Sequence, residues 1–594
     1  MTRETILRFL NEVLYKVSKP SRYIGGEMNS IFKEPAGRLR VLLIFPDAYE
    51  VGMSHHGLRI LYDILNEQDW IYAERAFLPW VDMMEEMKKR KIPLFSLETK
   101  TPASDFDVLA FSLQYELVYP SFLATLELAG LPTKAEARRD DDPIVVAGGP
   151  CATNPEPVAE FVDAFGIGDG EEMILDICRV LHQTKGMKRA DRLKELSKIK
   201  GVYAPTLYAL ENKGRFIVPM GPKVKIRRVE RPTKQPVRQI VPFMEIVHDR
   251  GIVEVMRGCT RGCRFCQAGM IYRPVRELWP QEIEEITKEL LENTGYEQIS
   301  LLSLSTMDHT GIKEILERLR PLMKEHVLSL SLPSTRVGRF GVEIAETISS
   351  IRRTGLTLAP EAGSQRLRNV INKNVREEEL LESLHIARSR GWKRVKLYFM
   401  MGLPTERDED IYEMVKLVKK VRRLMKEVTV NVSVFIPKAH TPFQFAAFMN
   451  FEDYRRRLRI LRDLKRYARV KVADYHQSLI EAVLSRGDRK LSKVLMSVRE
   501  KGALFDEWED RFNYSMWQEA FQEENLDMNT YLESIEPSTH LPWDHVDTGL
   551  EKDFLVAEYE KALHEDTTPD CRFNTCTGCG VCNSRNVHNR LYLK

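Results

Sequence analysis

Three cysteines stand within eight positions: Cys259, Cys263 and Cys266, spaced C-x3-C-x2-C in "RGCTRGCRFCQAG". A structural metal site normally has four protein ligands, whereas a catalytic site keeps a position open. The flanking cysteines, Cys178 and Cys571, are far off in the sequence on either side. Three thiolates can hold a cubane of four irons and leave the fourth iron free for a small molecule. A structural zinc knuckle is the alternative, and it would lack a nearby fourth ligand. The tail differs. In "CRFNTCTGCGVC", Cys571, Cys576, Cys579 and Cys582 supply a complete set of four thiolates spaced C-x4-C-x2-C-x2-C. This spacing suits a second [4Fe–4S] cluster, with tetrahedral zinc as the alternative. Cys178, in "ILDICRV", reads as core, and Cys151 sits in a glycine-rich loop.

The elements that must position these residues alternate between strand and helix. "RVLLIFPDAYEVG" gives a strand at about 40–46, followed by the helical "GLRILYDILNE"; "DVLAFSL" and "DPIVVAGGP" are further buried-type strands. Such alternation predicts a parallel, doubly wound α/β sheet, with sites at the carboxyl ends of its strands. From about 245, six strand-like runs separated by helical stretches begin with "GIVEVMRGC" and end with "VNVSVFIPKAH". They predict a partial TIM-like (β/α)6 barrel whose chemistry lies at strand ends. The chain therefore divides into an N-terminal arm (1–39), an α/β domain (40–185), a basic connector (186–244), the barrel (245–472) and a mainly helical C-terminal domain with the cysteine tail (473–594). Residues 455–471, "RRRLRILRDLKRYARVK", read as a basic helix, either a solvated outer face or a surface for RNA phosphates.

With 594 residues, 43% apolar and 29% charged, this is the composition of an ordinary globular protein of several domains. A net charge of +3 demands neither a nucleic acid nor an anionic membrane as partner. No apolar run is long enough to span a bilayer and the N-terminus has no signal-peptide core, so a cytoplasmic location without a membrane partner is expected. Seven of the nine cysteines in two tight runs point to metal binding in a reducing compartment rather than to disulfides.

The three-cysteine spacing, with Phe265 before the last cysteine, resembles the radical S-adenosylmethionine (SAM) superfamily. That resemblance implies a [4Fe–4S] cluster whose open iron is chelated by SAM, and reductive cleavage to a 5'-deoxyadenosyl radical. Further SAM contacts are implied at Ser303, Ser305 and Thr306 after the second strand, where "SLST" replaces the common Gly-Gly-Glu. Others are Ser334 and Arg336 in "SLPSTR", Glu361 and Arg368 in "APEAGSQRLR", and Gly402 in "GLPTE". The α/β domain is similar to the cobalamin domain of B12-type members. Its "DAYEVG" loop keeps the D-x-H-x-x-G spacing, with Asp47, Gly52, and Tyr49 in the histidine position. Gly148 and Gly149 would leave room for a corrin, and His55 and His56 are expected not to be ligands. A Rossmann-like scaffold without corrin is the other reading. Over nearly its whole length the chain resembles a family of B12-binding radical SAM proteins. Members tend to be encoded near ribosome and RNA-processing functions. The resemblance thus implies a radical SAM enzyme that draws electrons from flavodoxin or ferredoxin and catalyses cobalamin-dependent methylation of an RNA or ribosomal substrate. Alternatives are methylthiotransferase-like sulfur insertion and a non-catalytic iron–sulfur protein that binds RNA or an assembly.

Overall fold

The structure, a computed structural model, describes residues 1–331, 356–582 and 587–593. An amphipathic helix, α1 (Arg3–Val13), buries Ile6, Phe9, Leu10 and Val13 against Met83 and Met87 of the first domain. That domain is a six-stranded sheet of β1 (Leu39–Phe45), β2 (Ile71–Phe77), β3 (Val108–Ser112), β4 (Ile144–Gly148), β5 (Ala164–Gly166) and β6 (Val202–Tyr203). Its order is β2-β1-β3-β4-β5-β6, and every pairing is parallel except the last. Strand succession reverses between β1 and β3, and a doubly wound sheet offers a crevice at that switch point. The β1 run "LRVLLIF" is apolar on both faces, as a strand covered on both sides must be.

Residues 186–244, expected as a solvated connector, are instead folded in. Helix Arg189–Leu196 packs on the sheet, β6 extends it, and Ala209–Asn212 pairs with Ile217–Met220 in a hairpin. Arg215 donates to the carbonyls of Thr530, Glu533 and Ser534, and Val224–Lys225 pairs with Val546–Asp547. Arg215 thus bonds backbone carbonyls of the C-terminal domain, while Arg227 pairs with Glu172 and Asp176 and Arg231 with Glu282.

The second α/β series forms two parallel arcs: β7 (Gly251–Glu254), β8 (Gln298–Leu302) and β9 (Ser329–Ser331), then β10 (Leu356–Glu361), β11 (Arg394–Met401), β12 (Glu427–Val434) and β13 (Arg469–Val472). The seventh strand comes from the end of the expected basic helix. That helix stops at Leu461, and "RVKV" switches to the two-residue period of a strand. Arg455, Arg456, Arg459 and Arg462 remain exposed. C-terminal helices, including α2 (Lys552–Leu563), close over the barrel mouth. Among the described residues no helix is long and apolar enough to cross a membrane.

Candidate active site

The cysteine loop leaves the short strand Met256–Arg257, which pairs antiparallel with Arg276–Glu277. Gly258 sits at φ +85, and a Cβ there would lie 2.3 Å from the Pro274 carbonyl oxygen, so only glycine makes this turn. Cys266 caps the helix Gln267–Ile271, its Sγ accepting the Gly269 N–H at 3.3 Å. Burial, then the neighbouring Cys263, pushes the Cys266 thiol up to about 12. The Cys259 thiol is raised by burial and Cys263, against the pull of the Arg572 guanidinium. Both thiols therefore favour the protonated form until a cation takes the proton's place. Among the described residues no three metal-ligating side chains are already gathered on a metal-sized point.

Three elements immobilise the loop. Arg264, fully buried, donates to Glu558 Oε2 of α2 at 3.1 Å and to the carbonyls of Asn369 and Val370. Asn372 donates to the Arg261 and Gly262 carbonyls at 3.3 and 3.1 Å. Arg261 pairs with Asp308, which also accepts from Ser305 at 2.6 Å. The expected contact Ser305 is therefore engaged in clamping the cysteine loop. Ser303 bonds Thr306 at 2.9 Å and borders a large cavity.

Glu361 ends β10 at a register shift with φ +66, a conformation unusual for glutamate. Its carboxylate accepts from Lys373 Nζ at 3.1 Å. Burial opposes the Lys373 charge, but Glu361, Cys263 and Cys266 outweigh it and hold the ammonium above its ordinary range. Lys373 is the residue that motif reading missed. It lies in "INKN", between two asparagines at positive φ, outside every quoted motif.

Other expected contacts sit elsewhere. Arg368 is buried and donates to the Ala362 and Gly363 carbonyls, bordering a separate polar cavity with Arg376 and Glu377. The Gly402 N–H donates to Glu406 Oε2 at 2.6 Å. Phe265 packs against the apolar cluster of Leu367, Phe435 and Phe443. Ser334 and Arg336 lie outside the described residues.

A cavity of about 510 Å³ opens between the carboxyl ends of the first sheet and the barrel mouth. Gly148, Gly149, Gly168 and Gly170 border it on one side, and Glu254, Arg257, Gly258, Tyr272 and Ser303 on the other. Gly149, at φ +100, lies so close to the Leu113 carbonyl oxygen that a Cβ would meet it at 2.4 Å. Buried ion pairs hold the two sides together: Arg257 with Asp169 (3.1 Å) and Glu171 (2.7 Å), and Arg276 with Asp169; Glu254, on Arg257's own side, braces the guanidinium at 2.7 Å. Asp47, Tyr49 and Gly52 do not line this cavity. Asp47 accepts from Tyr115 (2.9 Å) and the Trp508 indole (3.0 Å), Tyr49 donates to Glu27 (2.8 Å), and Gly52 abuts Phe77. The loop spacing is present, but its side chains tie the sheet to neighbouring elements. His55 and His56 do border the cavity. The Nδ1 of His55 accepts the Leu58 N–H, so a neutral ring carries its proton on Nε2 and is a donor, not a ligand. Burial pushes the His56 imidazole down to about 3, keeping it neutral. Cys151 is buried next to Tyr119, away from the cavity lining, and Cys178 lies in the core.

At the tail, Cys576 is exposed, Cys579 is buried, and Cys571 and Cys582 are half-buried.

Residues 253–418 match the family described as the radical SAM superfamily, and residues 57–205 match radical SAM proteins, N-terminal. An uncharacterized protein of Methanocaldococcus jannaschii is 28% identical over 485 residues, covering 80% of this chain and 96% of that one. The tRNA-2-methylthio-N(6)-dimethylallyladenosine synthase of Clostridium botulinum is 26% identical over 273 residues, 42% of this chain and 56% of that protein. Among solved structures, the radical S-adenosylmethionine methyltransferase TsrM of Kitasatospora setae, with cobalamin and [4Fe–4S] cluster bound, aligns at TM-score 0.49 and 13% identity, covering 82% of this chain and 99% of that one.

Proposed function

This chain belongs to the radical SAM superfamily, and on that premise we propose that it is a cobalamin-dependent methyltransferase acting on an RNA or a ribosomal component. The observation that carries this reading is the cavity shared by the two domains. It lies at the switch point of a doubly wound sheet, it is glycine-walled on that side, and its other wall, Arg257 and Gly258, runs directly into Cys259. A planar macrocycle fits that setting, with Gly148, Gly149, Gly168 and Gly170 leaving room for it. Cys259, Cys263 and Cys266 would hold the [4Fe–4S] cluster. With SAM the cluster supplies a carbon radical able to remove a hydrogen atom, and the corrin supplies the methyl group.

The chain's own groups would position these components. Lys373 and Glu361 set a cation and an anion beside Cys263 and Cys266, the complement of the carboxylate and of the ribose hydroxyls of SAM. The Arg257–Asp169 and Arg276–Asp169 pairs tie the α/β domain to the barrel beside the cavity. No histidine is offered from the D-x-H-x-x-G position, because Tyr49 stands there and donates to Glu27. The RNA reading is supported by the curated relatives named for a modified tRNA base and by the exposed arginines of residues 455–462.

Protein reconstituted anaerobically with iron, sulfide and hydroxocobalamin tests the corrin reading. After gel filtration it should retain about one corrin per chain by absorbance. Gly148→Leu, at a site where a Cβ has only the Gly166 carbonyl oxygen at 3.5 Å, should lose the corrin while keeping its iron. Equal retention by both proteins would remove the cavity as the site. Methylated nucleosides present in tRNA or rRNA only when the gene is intact would identify the RNA.

A further inference from the structure

The four-cysteine tail is physically joined to the three-cysteine loop. Thr260, the residue after Cys259, donates through Oγ1 to Oδ1 of Asp570, the residue before Cys571, at 2.7 Å. One side-chain hydrogen bond therefore links neighbours of a cysteine from each run. Around it, Arg261 reaches Asp570 Oδ2 at 3.3 Å. Arg572, on the other side of Cys571, donates to the Asp308 carbonyl at 3.1 Å and pairs with Asp570 at 2.6 Å and with the Asp308 carboxylate at 3.5 Å. Asp308 also pairs with Arg261, so two acids and two arginines close a ring beneath both runs. The Arg572 and Asp308 side chains are almost wholly buried.

The chain on either side of the tail cysteines is fixed to the same end of the barrel. Upstream, the Thr568 N–H donates to Asn372, whose amide also holds the Gly262 carbonyl. Downstream, the Arg590 N–H donates to the Val275 carbonyl and the Glu277 N–H to the Arg590 carbonyl. Gly578 and Gly580, both at positive φ, turn the run back on itself, and the Gly578 N–H points at Cys576 Sγ at 3.5 Å. Positions 573–576 face solvent while Arg572, Cys579 and Val581 face the protein.

From this arrangement we propose that Cys571, Cys576, Cys579 and Cys582 form a second iron–sulfur site, electrostatically coupled through the Arg572–Asp570–Asp308 network to the site at Cys259. The coupling rests on the superfamily's cluster at Cys259, Cys263 and Cys266 and not on the corrin reading. Four thiolates in twelve residues are a complete ligand set, and amide donors to sulfur are how proteins tune iron–sulfur centres. A buried guanidinium between the two sites favours added electron density on either, because charges interact strongly where water is excluded. Arg572 is thus a tuning residue, and losing its charge makes the barrel cluster harder to reduce.

The test uses the full chain, reconstituted anaerobically with iron and sulfide, with metal analysis and redox-titrated electron paramagnetic resonance. The wild type should carry about eight irons per chain and Cys576→Ser/Cys579→Ser about four, as expected for two [4Fe–4S] clusters and one. Arg572→Met should keep about eight irons, with the midpoint of the barrel signal moved to more negative potential. Arg572→Lys, which keeps the charge, should restore most of the shift and guards against a folding defect. About one zinc and only about four irons in the wild type would overturn the iron–sulfur assignment. A fully loaded Arg572→Met protein with an unmoved midpoint would overturn the coupling.

Discussion

The two cysteine runs solve opposite problems with the same ligand. The barrel run supplies three thiols, is held by the buried Arg264–Glu558 pair, and has Lys373 and Glu361 beside it. The tail run supplies four thiols, lies partly at the surface with Cys576 exposed, and is flanked at Cys571 by the Arg572–Asp570 pair. Ligand number, more than burial, separates the runs: Cys259, Cys263 and Cys266 are all half-buried and leave a coordination position open, whereas the complete tail set ranges from the exposed Cys576 to the buried Cys579. On the proposed reading the open three-thiol site carries the chemistry and the four-thiol tail is the coupled second centre.

The largest effect should separate the runs outright. Cys263→Ala should abolish conversion of SAM to 5'-deoxyadenosine and leave the tail metal in place, whereas Cys576→Ser/Cys579→Ser should still make 5'-deoxyadenosine under dithionite. Product analysis by chromatography checks both, and equal loss in the two proteins would end the distinction. Next in size, Lys373→Met removes the half-buried ammonium beside the barrel thiols. We expect SAM turnover to fall roughly ten- to hundredfold, the range for losing a charge-assisted contact, with iron content unchanged. The smallest effect concerns the scaffold. Burial pushes the Glu406 carboxyl up to about 7 despite its pairing with Arg457, so the folded chain holds a proton there that the unfolded chain releases near the ordinary carboxylate value. Stability contributed below that ordinary value is lost as pH rises through about 7. Glu406→Gln should flatten this part of the thermal stability profile without altering iron at either site.

Much of this contrast is legible in the sequence because its signals are local. The apolar run 39–45, the glycines at 148 and 149 and both cysteine spacings each specify their own element. The strand at 469–472 was not legible as such, since "RVKV" follows a helical pattern with no break strong enough to announce the change. Residues 186–244 read as a linker because their arginines find acceptors only in other segments: Arg215 in carbonyls some three hundred positions later, Arg227 in Glu172 and Asp176, Arg231 in Glu282. Lys373 was invisible for a related reason. Its role arises where a loop after β10 folds back on the cysteine loop, and no spacing within one segment encodes that meeting. The Asp47-to-Gly52 loop shows the reverse. Its spacing fits a cofactor motif, yet Asp47 and Tyr49 bond to Trp508 and Glu27, so pattern alone overstated its part in the cavity.

An open coordination position at Cys259, Cys263 and Cys266 is what separates catalysis from mere metal binding in this chain. Anaerobically reconstituted full chain, reduced with dithionite and given SAM, should yield 5'-deoxyadenosine and methionine. It should yield none once Cys259, Cys263 or Cys266 is replaced by alanine. A fully loaded cluster that leaves SAM intact would contradict the account.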